Sequence, residues 1–413
     1  MASKGFYSRF NDVWMLDGVR TPMADYCTSF ADISPTDLGI KAARAILQRT
    51  GIPGAQIDSV ITGNMAPGDT YQFFLPRHIG LYSGVPVEIP AINVQRICGT
   101  GFEILRQAGD QIERGYVDTA LVVAAESMTR NPIASFSHRS GFKLGAPVEF
   151  KDYMWEALVD TAPGISMIKT AENLAKRFAI TREEVDAFAS LSFERAVRAQ
   201  QEGFFDGEIV PVKNEVFELE GYASRRLRVS GKQPEITQDS HPRISPPDVL
   251  AKLRAVYADG VQTGGNSAAL VDAGAATIIT STAGAAGRKP LAKIIASAVV
   301  GVPPEIMGIG PAPAIRLLLE RSGLTLADIG CFEINEAQGA QTIAVERELG
   351  LDRAKLNVNG GAIALGHPLA VSGLRLTITV ARELQRRGLR YGVAAACVGG
   401  GQGMAVLVEN PQA

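Results

Sequence analysis

The sequence predicts an α/β protein of two similar βα-layered halves, related by pseudo-twofold symmetry, with an inserted loop domain. Three observations predict this fold: strand-length apolar runs alternate with segments of helical period, the chain repeats itself, and a polar segment interrupts the repeat. The 413 residues, 46% of them hydrophobic, suit a soluble protein with more than one domain. The predicted boundaries are 1–126 plus 255–289 for the first half, 127–254 for the inserted domain and 290–413 for the second half.

Strands and helices follow one another along the chain. The apolar runs predict strands at 13–16, 59–62, 91–94, 121–125, 277–280 and 393–397. Helical spacing of apolar residues predicts helices over 38–48, after Gly99 and over 372–387, and Gly115 is a typical stop for the second of these.

The repeat has an offset of 272 residues. Residues 46–51 (ILQRTG) resemble residues 318–323 (LLERSG), and 318 − 46 = 272. The same offset aligns Thr100-Gly101 with Ser372-Gly373, and Arg114-Gly115 matches Arg387-Gly388 one residue further on. Two halves of common design are expected to pack face to face, with a shared site at their junction.

The segment 127–254 lies outside the repeat and is more polar. Its clearest element is a helix start at residues 181–184 (TREE), which has the spacing of a capping box. We interpret the segment as a lid or ligand-binding subdomain; the alternative is that it serves only packing and oligomer contacts.

Composition excludes several classes of function. The net charge of −2 gives no general attraction to nucleic acid or to an anionic membrane. No apolar run reaches the ~18 residues of a membrane span, and the first ten residues lack a signal-peptide core, so we expect a cytoplasmic protein. The four cysteines show no paired spacing, so we expect neither a disulfide framework nor a metal site.

Cys98 lies between a predicted strand and a predicted helix. Free backbone N–H groups and the helix dipole at such a junction favour a thiolate and can bind an oxyanion. The alternative is a buried, inert thiol.

Two glycine-rich stretches near the C-terminus carry further reactive groups. His367 stands between a glycine turn and Pro368 on a rigid loop end, and Cys397 ends a strand before three glycines. The alternatives are a structural histidine and a phosphate-binding loop, although the latter lacks a Gly-Lys-Ser/Thr motif. Asn335 ends another strand, either as a satisfied strand end or as a group that orients a water or an oxyanion.

Taken together, these stretches resemble the thiolase family, the acetyl-CoA acetyltransferases. The resemblance covers nearly the whole chain through motifs at 20–22 (RTP), 98–101 (CGTG), 126–128 (ESM), 170–173 (TAEN), 207–212 (GEIVPV), 308–311 (GIGP), 335–337 (NEA), 357–368 (NVNGGAIALGHP) and 397–401 (CVGGG).

The resemblance implies a mechanism and the residues that perform it. His367 removes the proton of Cys98, which attacks an acyl-CoA and becomes acylated; Cys397 then takes a proton from the α-carbon of acetyl-CoA. The resulting carbanion attacks the acyl group and gives a 3-oxoacyl-CoA, and CoA cleaves that product in the reverse direction. One oxyanion hole uses His367 with a water held by Asn335, and the other uses the backbone N–H groups of Cys98 and Gly399.

The resemblance also implies the ligands and the assembly. Acetyl-CoA, acyl-CoA or 3-oxoacyl-CoA are the expected partners, no cofactor is expected to stay bound, and a homodimer or homotetramer is expected. Met167, Tyr257 and Ser267 are the candidate CoA contacts. Several positions depart from the family pattern: Gln338 stands where Phe is common, Tyr257 where Phe is common, Ser267 one position before the usual Ser, and Ala370-Val371 and Leu374 where smaller residues are usual.

Two other hypotheses remain open. One is a degenerate thiolase-like scaffold or partner subunit, which the presence of all three reactive residues argues against. The other is a decarboxylating ketoacyl synthase, which typically pairs its cysteine with two histidines, or with a histidine and an asparagine, and lacks the second cysteine.

Overall fold

The computed structural model describes residues 4–413 and confirms the α/β class. The strands are β1 (Phe6–Arg9), β2 (Trp14–Arg20), β3 (Ala24–Asp25), β4 (Ser59–Gly63), β5 (Ala91–Val94), β6 (Thr119–Glu126), β7 (Ile133–Ala134), β8 (Lys151–Asp152), β9 (Val159–Asp160), β10 (Ile165–Ser166), β11 (Val212–Lys213), β12 (Glu215–Phe217), β13 (Arg225–Leu227), β14 (Glu235–Ile236), β15 (Val271–Thr280), β16 (Ala292–Gly301), β17 (Ile329–Ile334), β18 (Tyr391–Val398) and β19 (Gln402–Glu409). The α-helices are α1 (Pro35–Thr50), α2 (Leu75–Tyr82), α3 (Thr100–Glu113), α4 (Tyr153–Glu156), α5 (Met167–Arg177), α6 (Arg182–Gln201), α7 (Pro247–Leu250), α8 (Thr282–Ala285), α9 (Pro311–Ser322), α10 (Gly339–Leu349), α11 (Ala362–Leu365) and α12 (Leu369–Arg387).

The main sheet repeats one pattern of strand directions on either side of its middle. Its order is β17-β18-β19-β16-β2-β15-β6-β4-β5, with β1 added beside β16 and β3 beside β15. Going outward from the β16–β2 contact, each side has two antiparallel pairings followed by a parallel one. Strand β2 pairs with β16 at two positions, Ala292 with Met15 and Lys293 with Trp14, and β1 pairs with the same strand at four more. The sheet is therefore two similar units that join along β16.

The repeated helices begin and end in similar ways. Pro35 opens α1 and Pro311 opens α9, and each helix ends before a glycine of left-handed conformation, Gly51 with φ 65° and Gly323 with φ 70°. Helix α1 packs on β2, β15 and β6, and α9 packs on β16, β19 and β18. These two helices cover equivalent strands of the two halves.

Helices α3 and α12 lie between the two halves, and their glycines allow the backbones to touch. A Cβ on Gly101 would lie 2.3 Å from the backbone nitrogen of Leu374, and a Cβ on Gly373 would lie 2.5 Å from that of Phe102. The contact is reciprocal at the offset of the repeat, since 373 − 101 and 374 − 102 both equal 272. Because the helices cross close to their N-termini, the loops that precede them are brought to one place.

Helix α12 begins three residues earlier than the sequence predicted, at Leu369. Pro368 occupies the N-cap position with φ −75°, and its fixed φ suits the start of a helix. Strand β15 is also longer than predicted, because its first six residues are small but fully buried between β2 and β6.

Between β6 and β15 the chain forms short hairpins and the helices α4 to α7. Thr181 and Glu184 form the predicted capping box at the start of α6. The exact division at 127–254 stays a prediction. Across residues 4–413, no helix has the length and apolar character needed to cross a membrane.

Candidate active site

Cys98 lies in a tight turn that joins β5 to α3. The preceding residue, Ile97, has φ 45°, a left-handed conformation that is unfavourable for a β-branched side chain. The Thr100 hydroxyl stabilises the turn, accepting from the Arg96 backbone N–H at 2.8 Å and donating to the Ile97 carbonyl at 2.7 Å. This local strain places the Cys98 side chain at the mouth of the helix.

The side chain of Arg96 connects the same turn to both halves of the molecule through hydrogen bonds. Its Nε donates to Glu103 Oε2 at 3.0 Å within α3, and its Nη1 donates to Gln402 Oε1 at 2.7 Å at the start of β19. The position of Cys98 therefore depends on contacts with the second half of the chain.

The sulfur of Cys98 is buried, and the backbone amides of Cys98 and Gly399 favour its thiolate form. Burial raises the pKa of the Cys98 thiol to about 11, and the charge of Glu126 contributes in the same direction, while the two amides lower it. Burial therefore outweighs the helix N-terminus, and the expected thiolate is corrected to a neutral thiol in the free protein.

The imidazole of His367 is held on both of its nitrogens. Nδ1 lies 2.5 Å from Ser372 Oγ, and Nε2 lies 3.3 Å from Asn335 Nδ2. Ser372 Oγ is also 3.4 Å from the Pro368 carbonyl one helical turn back, to which it can donate. Nδ1–H then donates to Ser372 Oγ, and Nε2 keeps the lone pair of a base.

His367 is neutral in the free protein. Burial, together with the cationic Arg375 on α12, lowers the pKa of His367 to about 3. The site therefore pairs a neutral thiol with a neutral imidazole.

Asn335 follows β17 and is anchored through its backbone. Its N–H donates to the Ala395 carbonyl on β18 at 2.8 Å, and its side chain is fully buried. Its Oδ1 has no hydrogen-bond partner among residues 4–413. A buried, unpaired acceptor next to His367 is suited to a bound water or a polar ligand atom.

Cys397 is the penultimate residue of β18 and is completely buried. Burial raises its pKa far above the usual value, and the proximity of Cys98 adds to this effect. The glycines that follow turn the chain sharply: Gly400 has φ 79° and Gly401 has φ 81°, and a Cβ on Gly401 would lie 2.3 Å from the Val302 carbonyl oxygen. This turn aims the Gly399 amide at Cys98.

A cavity of about 260 Å³ is lined in part by Cys98 and His367, whereas Asn335 and Cys397 are not among its lining residues. Most of its wall is apolar; the lining residues are Cys98, Met128, Trp155, Leu158, Ser166, Met167, Ile168, Val256, Thr263, Gly264, Ser267, Ala268, Ala269, Leu270, Met307, Ala337, Gln338, His367 and Leu369. Of the three residues chosen as CoA contacts, Met167 and Ser267 line the cavity. Tyr257 does not, since its hydroxyl lies 2.8 Å from Ser166 Oγ behind the wall.

Two residues of the site were not singled out from the sequence. Ser372 was given only as a partner of Thr100 in the repeat and as the start of a predicted helix, although its hydroxyl fixes the His367 ring. Glu126, noted only as part of a motif, is fully buried and accepts from the backbone N–H groups of Met65 and Ala370, each at 3.1 Å. Nothing in the sequence near Glu126 indicated that it contacts the loop that carries His367, which lies 241 residues further along the chain (367 − 126 = 241).

Comparisons with known proteins agree with this arrangement. A family profile described as thiolase, N-terminal domain, matches residues 13–283, and one described as thiolase, C-terminal domain, matches residues 288–410. The chain is 40% identical over 402 residues to the mitochondrial 3-ketoacyl-CoA thiolase of Bos taurus, covering 96% of this chain and 98% of that one. It is also 40% identical over 402 residues to the 3-ketoacyl-CoA thiolase of Bacillus subtilis, with the same coverage. The crystal structure of human mitochondrial 3-ketoacyl-CoA thiolase in complex with CoA superposes with a TM-score of 0.91 at 38% identity, covering 96% of this chain and 98% of that chain.

Proposed function

This chain belongs to the thiolase family, and from that premise we propose how each residue of the site takes part in its acyl transfer. The protein is an acyl-CoA acyltransferase with thiolase activity. The observation that carries the assignment of roles is the meeting of Cys98, His367 and the Gly399 amide beside one largely apolar cavity.

In the first half-reaction, Cys98 is the nucleophile and His367 is its base. Because both groups start neutral, proton transfer from the sulfur to Nε2 accompanies attack on the thioester carbonyl. The proton then passes from His367 to the sulfur of the departing CoA, so that acyl-Cys98 and free CoA form. The amides of Cys98 and Gly399 are aimed at the sulfur and can bind the carbonyl oxygen of the attached acyl group.

In the second half-reaction, Cys397 is the base toward acetyl-CoA. Once Cys98 is acylated and CoA has left with its proton, His367 is again a neutral base, and Cys397 passes its proton to it. The Cys397 thiolate takes a proton from the α-carbon, and the enolate carbon attacks acyl-Cys98. The leaving Cys98 sulfur recovers a proton from His367, which restores every group to its starting state.

Asn335 supports the enolate in this scheme. Its unpaired Oδ1 can hold a water beside His367, and that water and the protonated imidazole can both donate to the enolate oxygen. Met167, Tyr257 and Ser267 are proposed as CoA contacts, with Tyr257 acting through Ser166.

Trapping of the acyl-enzyme tests these roles. Brief incubation with acetyl-CoA followed by peptide mapping is expected to place one acetyl group on Cys98, and Cys98→Ala is expected to abolish it. The Cys397→Ala variant is expected to acetylate Cys98 yet to lose exchange of the acetyl-CoA α-protons with deuterated water. Acetylation at another residue would contradict the assignment, and a protein that never acetylates would favour the scaffold hypothesis. Activity only with a malonyl thioester as extender would favour a ketoacyl synthase.

We propose a cytoplasmic homodimer or homotetramer. Strand β5 ends the main sheet, and its Ile92 side chain is 49% exposed, so a second copy is a reasonable cover for this edge. Light scattering of the purified protein measures the assembly. Imaging of a tagged chain in its host tests the location, because the bovine relative is named as mitochondrial.

A further inference from the structure

The side-chain amide of Gln338 in the cavity wall is oriented by a relay of hydrogen bonds behind it. The Ala340 backbone N–H donates to Gln262 Oε1 at 2.9 Å, which fixes that amide and leaves Gln262 Nε2 as a donor. This Nε2 lies 3.1 Å from Gln338 Oε1, and the Ser267 hydroxyl lies 2.7 Å from the same oxygen. Turning the Gln338 amide over would set two NH₂ groups against each other, so its Nε2 points away from the relay.

Gln338 Nε2 is consequently a free donor at the cavity. The residue is 92% buried, with 8% exposed, and it lines the cavity together with Cys98 and His367. No residue among 4–413 accepts a hydrogen bond from this nitrogen. Because Gln338 Nε2 faces the cavity, an apolar acyl group that fills the cavity would take this donor out of water without a partner, whereas an acyl group with an acceptor at that place would pair it.

The remainder of the wall limits what that acceptor can be. No Lys or Arg lines the cavity in the described chain, and His367 is neutral because burial lowers its pKa. A carboxylate would meet only neutral groups, the Gln338 amide and the hydroxyls of the wall, and no counter-charge, which does not offset its loss of water. A neutral oxygen needs only the hydrogen bond that Gln338 offers.

We propose that the preferred acyl group of this enzyme carries a neutral oxygen (a hydroxyl, ketone or ether) that accepts a hydrogen bond from Gln338 Nε2. Plain alkyl acyl groups, which leave the donor unpaired, and acyl groups ending in a carboxylate are poorer substrates. This inference rests on the proposed function, since it requires the acyl group on Cys98 to extend into the same cavity.

Thiolysis of matched substrates tests the inference. The series is a set of 3-oxoacyl-CoA thioesters of one chain length, in which an ether oxygen replaces each methylene beyond C4 in turn, with the all-methylene and terminal-carboxylate compounds alongside. At one position of the oxygen, kcat/KM is expected to exceed that of the all-methylene compound by roughly tenfold to a hundredfold, the size of a satisfied against an unsatisfied buried donor.

Two substitutions separate the donor from the shape of the side chain. Gln338→Leu removes the amide, and Gln338→Glu replaces the donor with an acceptor of the same shape. In each variant, the ratio of kcat/KM for the best ether compound to kcat/KM for the all-methylene compound is expected to fall to about one. Gln200→Leu makes the same chemical change outside the cavity lining and is expected to keep the wild-type ratio. Thermal unfolding of each variant confirms that it is folded.

The outcomes distinguish the inference from the proposed function. A wild-type ratio near one at every position, with normal thiolysis, overturns the inference alone. A Gln338→Leu variant that loses activity equally on all substrates, with a raised KM for CoA, also overturns it, because Gln338 then binds the pantetheine arm. Failure to form acyl-Cys98 from any substrate overturns the proposed function instead.

Discussion

Removal of the Ser372 hydroxyl tests whether the hydrogen bond at His367 Nδ1 is what leaves Nε2 free to act as the base. In Ser372→Ala, His367 Nδ1 loses its partner at 2.5 Å inside a buried pocket. The tautomer that leaves Nε2 unprotonated is then no longer favoured. Leaving a buried donor without a partner costs about 1–3 kcal/mol of free energy, so kcat/KM for thiolysis is expected to fall by about fivefold to 150-fold.

Single-turnover acylation by acetyl-CoA is the appropriate assay, because it reports the step in which His367 accepts the Cys98 proton. Thr377→Ala is the matched control: its hydroxyl donates to the Gly373 carbonyl one turn back in the same helix, at 2.8 Å, away from His367. Ser372→Thr, which keeps a hydroxyl, is expected to recover part of the rate. A Ser372→Ala acylation rate within twofold of wild type, or an equal loss in Thr377→Ala, would refute the reasoning.

Three further predictions follow from burial and packing. Because burial raises the pKa of Cys98 to about 11, its rate of alkylation by iodoacetamide should keep rising with pH above neutrality, and a plateau below about pH 8 would contradict this. Gly373→Ala drives a Cβ against the Phe102 backbone and should lower the free energy of unfolding by about 1–3 kcal/mol, so an unchanged urea midpoint would count against the close crossing of α3 and α12. Burial raises the pKa of Glu126 to about 7 and of Glu333 to about 8, above the unfolded value of 4.5. Since the folded protein holds these protons more tightly, their contribution to stability is complete below about pH 4.5 and is lost as the pH rises through 7 and 8; urea midpoints that rise over this range would refute the claim.

Local patterns in the sequence were sufficient for the fold class and the family. Apolar periodicity predicted several strands of the main sheet, and the 272-residue offset aligned Gly101 with Gly373, the two glycines at which the structure shows α3 and α12 crossing. The thiol and imidazole groups stood out because glycine turns surrounded them. Element ends were less predictable: residues 272–276 of β15 (DAGAA) have weak strand preference, and their pairing with neighbouring strands extends β15 beyond the predicted 277–280.

The sequence by itself determined which chemical groups the protein carries and that its two halves share one design, because glycines, capping residues and apolar spacing act over a few residues. Tertiary structure alone decided the protonation state of those groups. The neutral thiol of Cys98 and the neutral imidazole of His367 follow from burial, which depends on packing between segments that are hundreds of residues apart in the chain. The contact of Ser372 with His367 spans only five residues and was overlooked, not hidden. The contact of Gln262 with Gln338, which lie 76 residues apart, exists only after the chain has folded, so no local pattern could reveal it.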